Sequence, residues 1–91
     1  MIFEYDNSKS QTNKVKHGID FEEAKGLWDD PYSFDLPSLH NKDEPRFLLL
    51  GRIDTRHYAA IITNRNGKVR IISVRRARKK EIELYESIRT R

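Results

Sequence analysis

The chain has 91 residues, enough for one domain (residues 1–91) and too few for two independent hydrophobic cores. It is 36% hydrophobic and 35% charged, yet its apolar residues cluster too strongly for global disorder, and with no cysteine it has no disulfide framework, thiolate metal site or cysteine nucleophile. The net charge of +4 says little until it is divided along the chain.

Ile2-Phe3-Glu4-Tyr5 alternates and reads as a short first strand. The opening residues lack the basic start and apolar stretch of a signal peptide, so the expected compartment is the cytosol. Asp6 is placed to cap a helix running to about Lys16, with Gly18 as its left-handed stop. Val15 is nearly its only apolar residue, so this helix is marginal alone and belongs on the surface. A second helix follows, signalled by an Asp20/Glu23 capping box and by Ile19 and Ala24 at the positions of a hydrophobic staple. Phe21, Ala24, Leu27 and Trp28 form its apolar face, and Asp30-Pro31 ends it.

Tyr32, Phe34 and Leu36 alternate as a half-buried strand, and Pro37 to Pro45 reads as a polar loop. Arg46 to about Ile53 contains the longest apolar run, Phe47 to Leu50. It is far too short to cross a membrane, and it predicts a strand covered on both faces. His57 to Arg65 is another strand. Asn66-Gly67 then signals a tight hairpin, because both central residues of a type I′ turn need positive φ. Lys68 to about Arg75 returns as its partner, and Arg78 to Arg89 closes the chain as a helix with Ile82, Tyr85 and Ile88 on one side. The order β-α-α-β-β-β-β-α predicts an α+β fold: a mainly antiparallel sheet with two N-terminal helices and one C-terminal helix.

Charge is unevenly spread along these elements. Residues 1–45 carry five lysines, no arginine and ten carboxylates, a net of −5, whereas residues 46–91 carry ten arginines, three lysines and four carboxylates, a net of +9. Guanidinium groups match phosphate oxygens in pairs, so the basic half suggests a polyanion, and nucleic acid is the natural candidate. Solvated arginine on a small sheet is the bland alternative.

A two-residue hairpin loop puts Arg65 opposite Lys68, Thr63 opposite Arg70 and Ile61 opposite Ile72. Arg65, Lys68 and Arg70 then share one side of the sheet near the turn, with Arg76 on the same side if the strand extends that far, while Arg75 projects to the other side opposite Tyr58. A slip of one residue redistributes all of these, and a looser turn over Asn64-Arg65-Asn66-Gly67 is open too.

His17 precedes the helix-ending glycine, where an imidazolium complements orphan carbonyls or, alternatively, moves a proton beside a phosphate. His40 and His57 have no motif around them. No two histidines stand at i,i+3 or i,i+4 and no zinc or P-loop pattern occurs, so no metal site and no cofactor are expected. RNA cleavage needs neither, because the ribose 2′-oxygen is an internal nucleophile; arginines plus one histidine or tyrosine suffice chemically.

The run Lys16-His17-Gly18-Ile19-Asp20-Phe21-Glu22-Glu23-Ala24 with Asp30-Pro31, and the later run Arg70-Ile71-Ile72-Ser73-Val74-Arg75-Arg76-Ala77 followed by Glu81 and Tyr85, resemble the BrnT toxin family. Phe3-x-Tyr5-Asp6, Lys9, Asn13, Gly51 and Thr63-x-Arg65 sit in matching order. Three positions depart from the pattern: Tyr5 stands for the usual tryptophan, Val74 for a common alanine, and Pro45 interrupts the acidic pair before Arg46. The resemblance implies a type II toxin with a RelE/ParE-like fold: a metal-independent endoribonuclease with RNA as substrate and a BrnA-like DNA-binding antitoxin as partner, joined in a heterotetramer or larger complex. It also implies His17, Arg65, Arg75 and Tyr85 as catalytic groups, with Arg46 and Arg76 holding phosphates beside the Lys68 and Arg70 of the hairpin. Two other classes stay open: a related toxin acting on a protein such as gyrase, and a non-catalytic nucleic-acid-binding module.

Overall fold

The computed structural model describes residues 1–38 and 44–91. Five strands form one sheet in the order β1-β5-β4-β3-β2: β1 (Phe3–Glu4), β2 (Phe34–Pro37), β3 (Arg46–Ile53), β4 (Arg56–Arg65) and β5 (Lys68–Arg76). All neighbours are antiparallel except β1, which runs parallel to β5 and makes the sheet mixed. The helices are α1 (Asn7–His17), α2 (Phe21–Ala24) and α3 (Lys79–Arg89). Residues 39–43 of the loop expected at Pro37 to Pro45, His40 among them, lie outside the described residues. No helix among the described residues is long and apolar enough to cross a membrane.

Helix α1 starts at Asp6, whose side chain accepts from the Lys9 N–H at 3.1 Å, and stops at Gly18 with φ 75°. Its docking is polar. Asn13 donates to the backbone oxygens of Ile19 and Val74, each at 2.8 Å, and accepts from the Val74 N–H at 3.1 Å. Ser10 accepts from the Phe21 N–H at 2.9 Å. A helix with almost no apolar face is therefore held by buried hydrogen bonds, each costly to leave unmade. The Asn13 amide also satisfies the edge of β5 beyond β1, as a further strand would.

The capping box at Asp20 and Glu23 forms as expected. The helix it opens is shorter than its apolar pattern suggests, because after Ala24 the chain tightens into a 3₁₀ turn, Lys25–Asp29. Phe21, Ala24 and Leu27 recur every three residues, a period that keeps them on one side of a three-fold turn. With Ile19, they pack against Leu49, Ala60, Ile62, Ile71 and Val74 on one face of the sheet, which is the core.

The second face is covered only in part. Helix α3 crosses β3 with Tyr85 buried beneath it and Ile82 and Ile88 half-buried. Leu49 and Leu50 are enclosed, so the expected double cover of β3 holds there, but Leu48 and Arg46 farther along stay half-open. The tight hairpin is present, with Asn66 at φ 53° and Gly67 at φ 76°. Arg65 opposes Lys68 and Thr63 opposes Arg70, as expected, but the ladder shifts between Ile61 and Ile62. Ile62 pairs Ile71 and Ile61 pairs Ser73, leaving Ile72 as the extra residue of a β-bulge. Expectations beyond that point need correction: Ile61 does not face Ile72, Arg75 opposes Ala59, and it is Arg76 that opposes Tyr58. The bulge thus moves Arg75 to the face of Arg65 and Arg70, and turns Arg76 away from it.

Candidate nucleic-acid interface

The open part of the second face carries a row set by strand register. Glu4 pairs Arg70, Arg70 pairs Thr63, and Thr63 pairs Arg46, so one line crosses four strands. Thr63 is fully buried and donates to the Pro45 oxygen at 2.6 Å, which fixes the floor between the two arginines. Arg46 and Arg70 stand two strands apart, about 10 Å at ordinary strand spacing. Arg65 and Lys68 form the adjacent pair at the hairpin.

Two carboxylates accompany these four cations. Arg65 grips Glu44 with both arms of its fork, Nε donating to Oε2 at 3.2 Å and Nη2 to the other oxygen. That contact holds the Glu44 carboxyl below the usual carboxylate range. Glu4 lies 3.7 Å from Arg70, and its Oε1 is buried without a hydrogen bond. Among the described residues neither Arg46 nor Lys68 has an ion-pair partner. The end of the sheet near the hairpin is therefore a cationic shelf with unused donors.

The other expected groups lie elsewhere. Arg75 is on the same face but four residues along the ladder from the Thr63 row, roughly 13 Å away. Its guanidinium donates to both oxygens of Glu81, at 2.8 and 2.9 Å, and Glu81 also accepts from the Arg78 N–H at 2.7 Å. Arg75 thereby ties β5 to the start of α3. Tyr85 is 1% exposed and donates to Asp30 Oδ2 at 2.7 Å, an oxygen that also accepts from the Arg52 N–H at 2.8 Å. Burial, then the Asp30 carboxylate, pushes the Tyr85 phenol up to about 12. Its ring meets His57 edge-on, and His57 Nε2 lies 2.7 Å from Glu86. Arg76 is exposed on the core side of the sheet, its guanidinium 5.8 Å from the Tyr58 ring centre. His17, exposed at the end of α1, lines a groove with Ile72 and Ser73 at the sheet edge.

A family model described as "Ribonuclease toxin, BrnT, of type II toxin-antitoxin system" matches residues 5–81. The chain belongs to the BrnT family. Comparison with curated proteins gives no match. A BrnT toxin of a type II system implies an RNA substrate and an antitoxin partner, and an arginine shelf beside a half-covered sheet is chemically suited to RNA.

Reasoning from sequence passed over Glu4, because the parallel pairing of β1 with β5 leaves no local mark in so short a strand. It also passed over the bulge, which did leave one. Val69 and Ile71 keep the two-residue period of the core face, and the next core residue is Val74, three positions on.

Proposed function

We propose that this BrnT toxin is an endoribonuclease that cuts RNA without a metal ion by turning the ribose 2′-hydroxyl against its own phosphate. The 2′-oxygen forms a bond to phosphorus and loses its proton. The bond from phosphorus to the 5′-oxygen breaks, and that oxygen gains a proton. The products are a 2′,3′-cyclic phosphate and a free 5′-hydroxyl. The observation that carries this reading is the Arg46–Thr63–Arg70 row, which presents pre-oriented donors to the charge that develops on the phosphorane.

Arg46, Lys68 and Arg70 form the phosphate grip in this reading, and His17 is the proton-transfer group. Arg65 stands beside the grip engaged by Glu44, and joins it only where RNA displaces that carboxylate. Arg75 and Tyr85 act by holding α3 to the sheet, since Glu81 and Asp30 already engage them. Arg76 lies outside the grip. Among the described residues no three His, Asp or Glu side chains gather as metal ligands. We assign the fold to the RelE/ParE-like group on its element order, and the partner to a BrnA-like repressor bound in a heterotetramer or larger complex.

Incubation of the purified protein with RNA in EDTA tests the reaction. The expected result is cleavage that persists under chelation and leaves 2′,3′-cyclic ends. Intact RNA, or activity lost to EDTA and restored by a divalent ion, overturns it.

A further inference from the structure

Helix α1 carries three lysines, and they are not equivalent. Lys14 turns toward α2 and pairs with Glu23 at 2.7 Å. Lys9 and Lys16 fall on a different side, seven residues and nearly two turns apart, together with Thr12 and His17. These four line a groove of about 240 Å³ whose other wall is Ile72 and Ser73, the bulge of β5. Among the described residues no carboxylate pairs with Lys9, Lys16 or His17, and the Ser73 hydroxyl has no partner.

The groove adjoins the arginine shelf. Ser73 is three residues from Arg70 on the same strand, about 10 Å away, and α1 begins just after Glu4, at the outer end of the arginine row. Lys9 and Lys16 are likewise about 10 Å apart along the helix axis. That length suits two or three nucleotides of a single strand. A peptide seeking a strand edge finds none at Val74, because Asn13 already bonds both its N–H and its oxygen. What remains on offer is positive charge and a hydroxyl, which is chemistry for phosphates.

We infer that the groove between α1 and the β5 bulge is a second phosphate track, in which Lys9 and Lys16 hold the RNA between the arginine shelf and His17. The inference rests on the ribonuclease reading above and adds a path to it. An RNA on this path crosses the edge of the sheet and runs alongside His17, so the track brings substrate to a histidine that otherwise stands apart from the arginines.

The test is fluorescence anisotropy with 2′-O-methyl RNA, which binds but cannot be cut, as a dodecamer and as a trinucleotide. The double variant Lys9→Gln/Lys16→Gln is expected to bind the dodecamer about tenfold more weakly, with a salt slope lower by roughly 1.4 for two lost phosphate contacts. The trinucleotide, which is too short to fill both shelf and groove, is expected to lose far less. Lys14→Gln removes the same charge from the opposite side of the helix and is expected to bind both probes as the unaltered protein does. Both variants change exposed side chains, and circular dichroism checks that they stay folded. Dodecamer binding unchanged in the double variant overturns the inference, as does an equal loss in Lys14→Gln. Cleavage of unmodified RNA is measured separately: a protein that binds through the groove but never cuts keeps the track and loses the ribonuclease reading.

Discussion

The two ends of one sheet face use the same residue types in opposite ways. At the hairpin end, Arg46 and Lys68 have no ion-pair partner among the described residues, Arg70 has only a loose one at 3.7 Å, and Arg65 is the exception, closed by Glu44. At the α3 end, Arg75 is closed by a two-armed bond to Glu81, Tyr85 is closed by Asp30, and His57 by Glu86. An arginine whose donors are already satisfied inside the protein has little to give a ligand, while one held open on a rigid strand is ready for an anion. Where α3 lies on the sheet, polar groups become fastenings; beyond its reach Arg46, Lys68 and Arg70 stay available, while Arg65 is fastened by Glu44 from the segment before β3.

The sharpest way to break this comparison is Arg46→Ala. At the open end it is expected to lower RNA cleavage by about 10²–10³-fold, the usual cost of one lost donor to a developing oxyanion. Stability is expected to stay within about 0.5 kcal/mol, because no ion pair is lost. Single-turnover cleavage and a thermal melt check the two halves. Undiminished cleavage removes the distinction between the ends.

Glu81→Gln probes the closed end and is expected to act on stability. It breaks the charged fork to Arg75, which costs about 1–2 kcal/mol at neutral pH. The Arg75 guanidinium, with the Arg78 N–H, holds the Glu81 carboxyl below its ordinary value of 4.5. A depressed carboxylate contributes stability that is complete above its unfolded value and is lost as pH falls through the folded one. The variant should therefore differ most from the unaltered protein at neutral pH, and the gap should narrow as pH falls below about 4. Urea unfolding across that range measures it, and a constant gap would show that the pair contributes no ionic stability.

Local signals carried most of this architecture. Asp6 and Gly18 bound α1, Asp20 and Glu23 open α2, and Asn66-Gly67 sets the hairpin, each through a rule that acts within four residues. Arginines near the hairpin were legible for the same reason, since Arg65 and Lys68 flank the turn directly. What was not legible depends on chain segments far apart in sequence. The partners that engage Arg75 and Tyr85 are chosen by where α3 lands. Asn13 reads as one more polar residue on a polar helix, yet it bonds a strand 61 residues away. The bulge lies between these cases: it is local, but its mark is a single broken period, and overlooking it sends every residue beyond it to the wrong face.

Arg76 supplies the smallest effect and the control for that last point. Without the bulge it would share the face of Arg70 and its loss would weaken RNA binding. With the bulge it sits on the core side, over Tyr58 and exposed to solvent. Arg76→Gln is expected to cleave RNA within about twofold of the unaltered rate and to lose about 0.5 kcal/mol, the scale of an exposed cation–π contact. Cleavage reduced as far as in Arg46→Ala would mean that the RNA reaches around the sheet edge to its core side. A shelf confined to one face could not then be the whole of the phosphate grip.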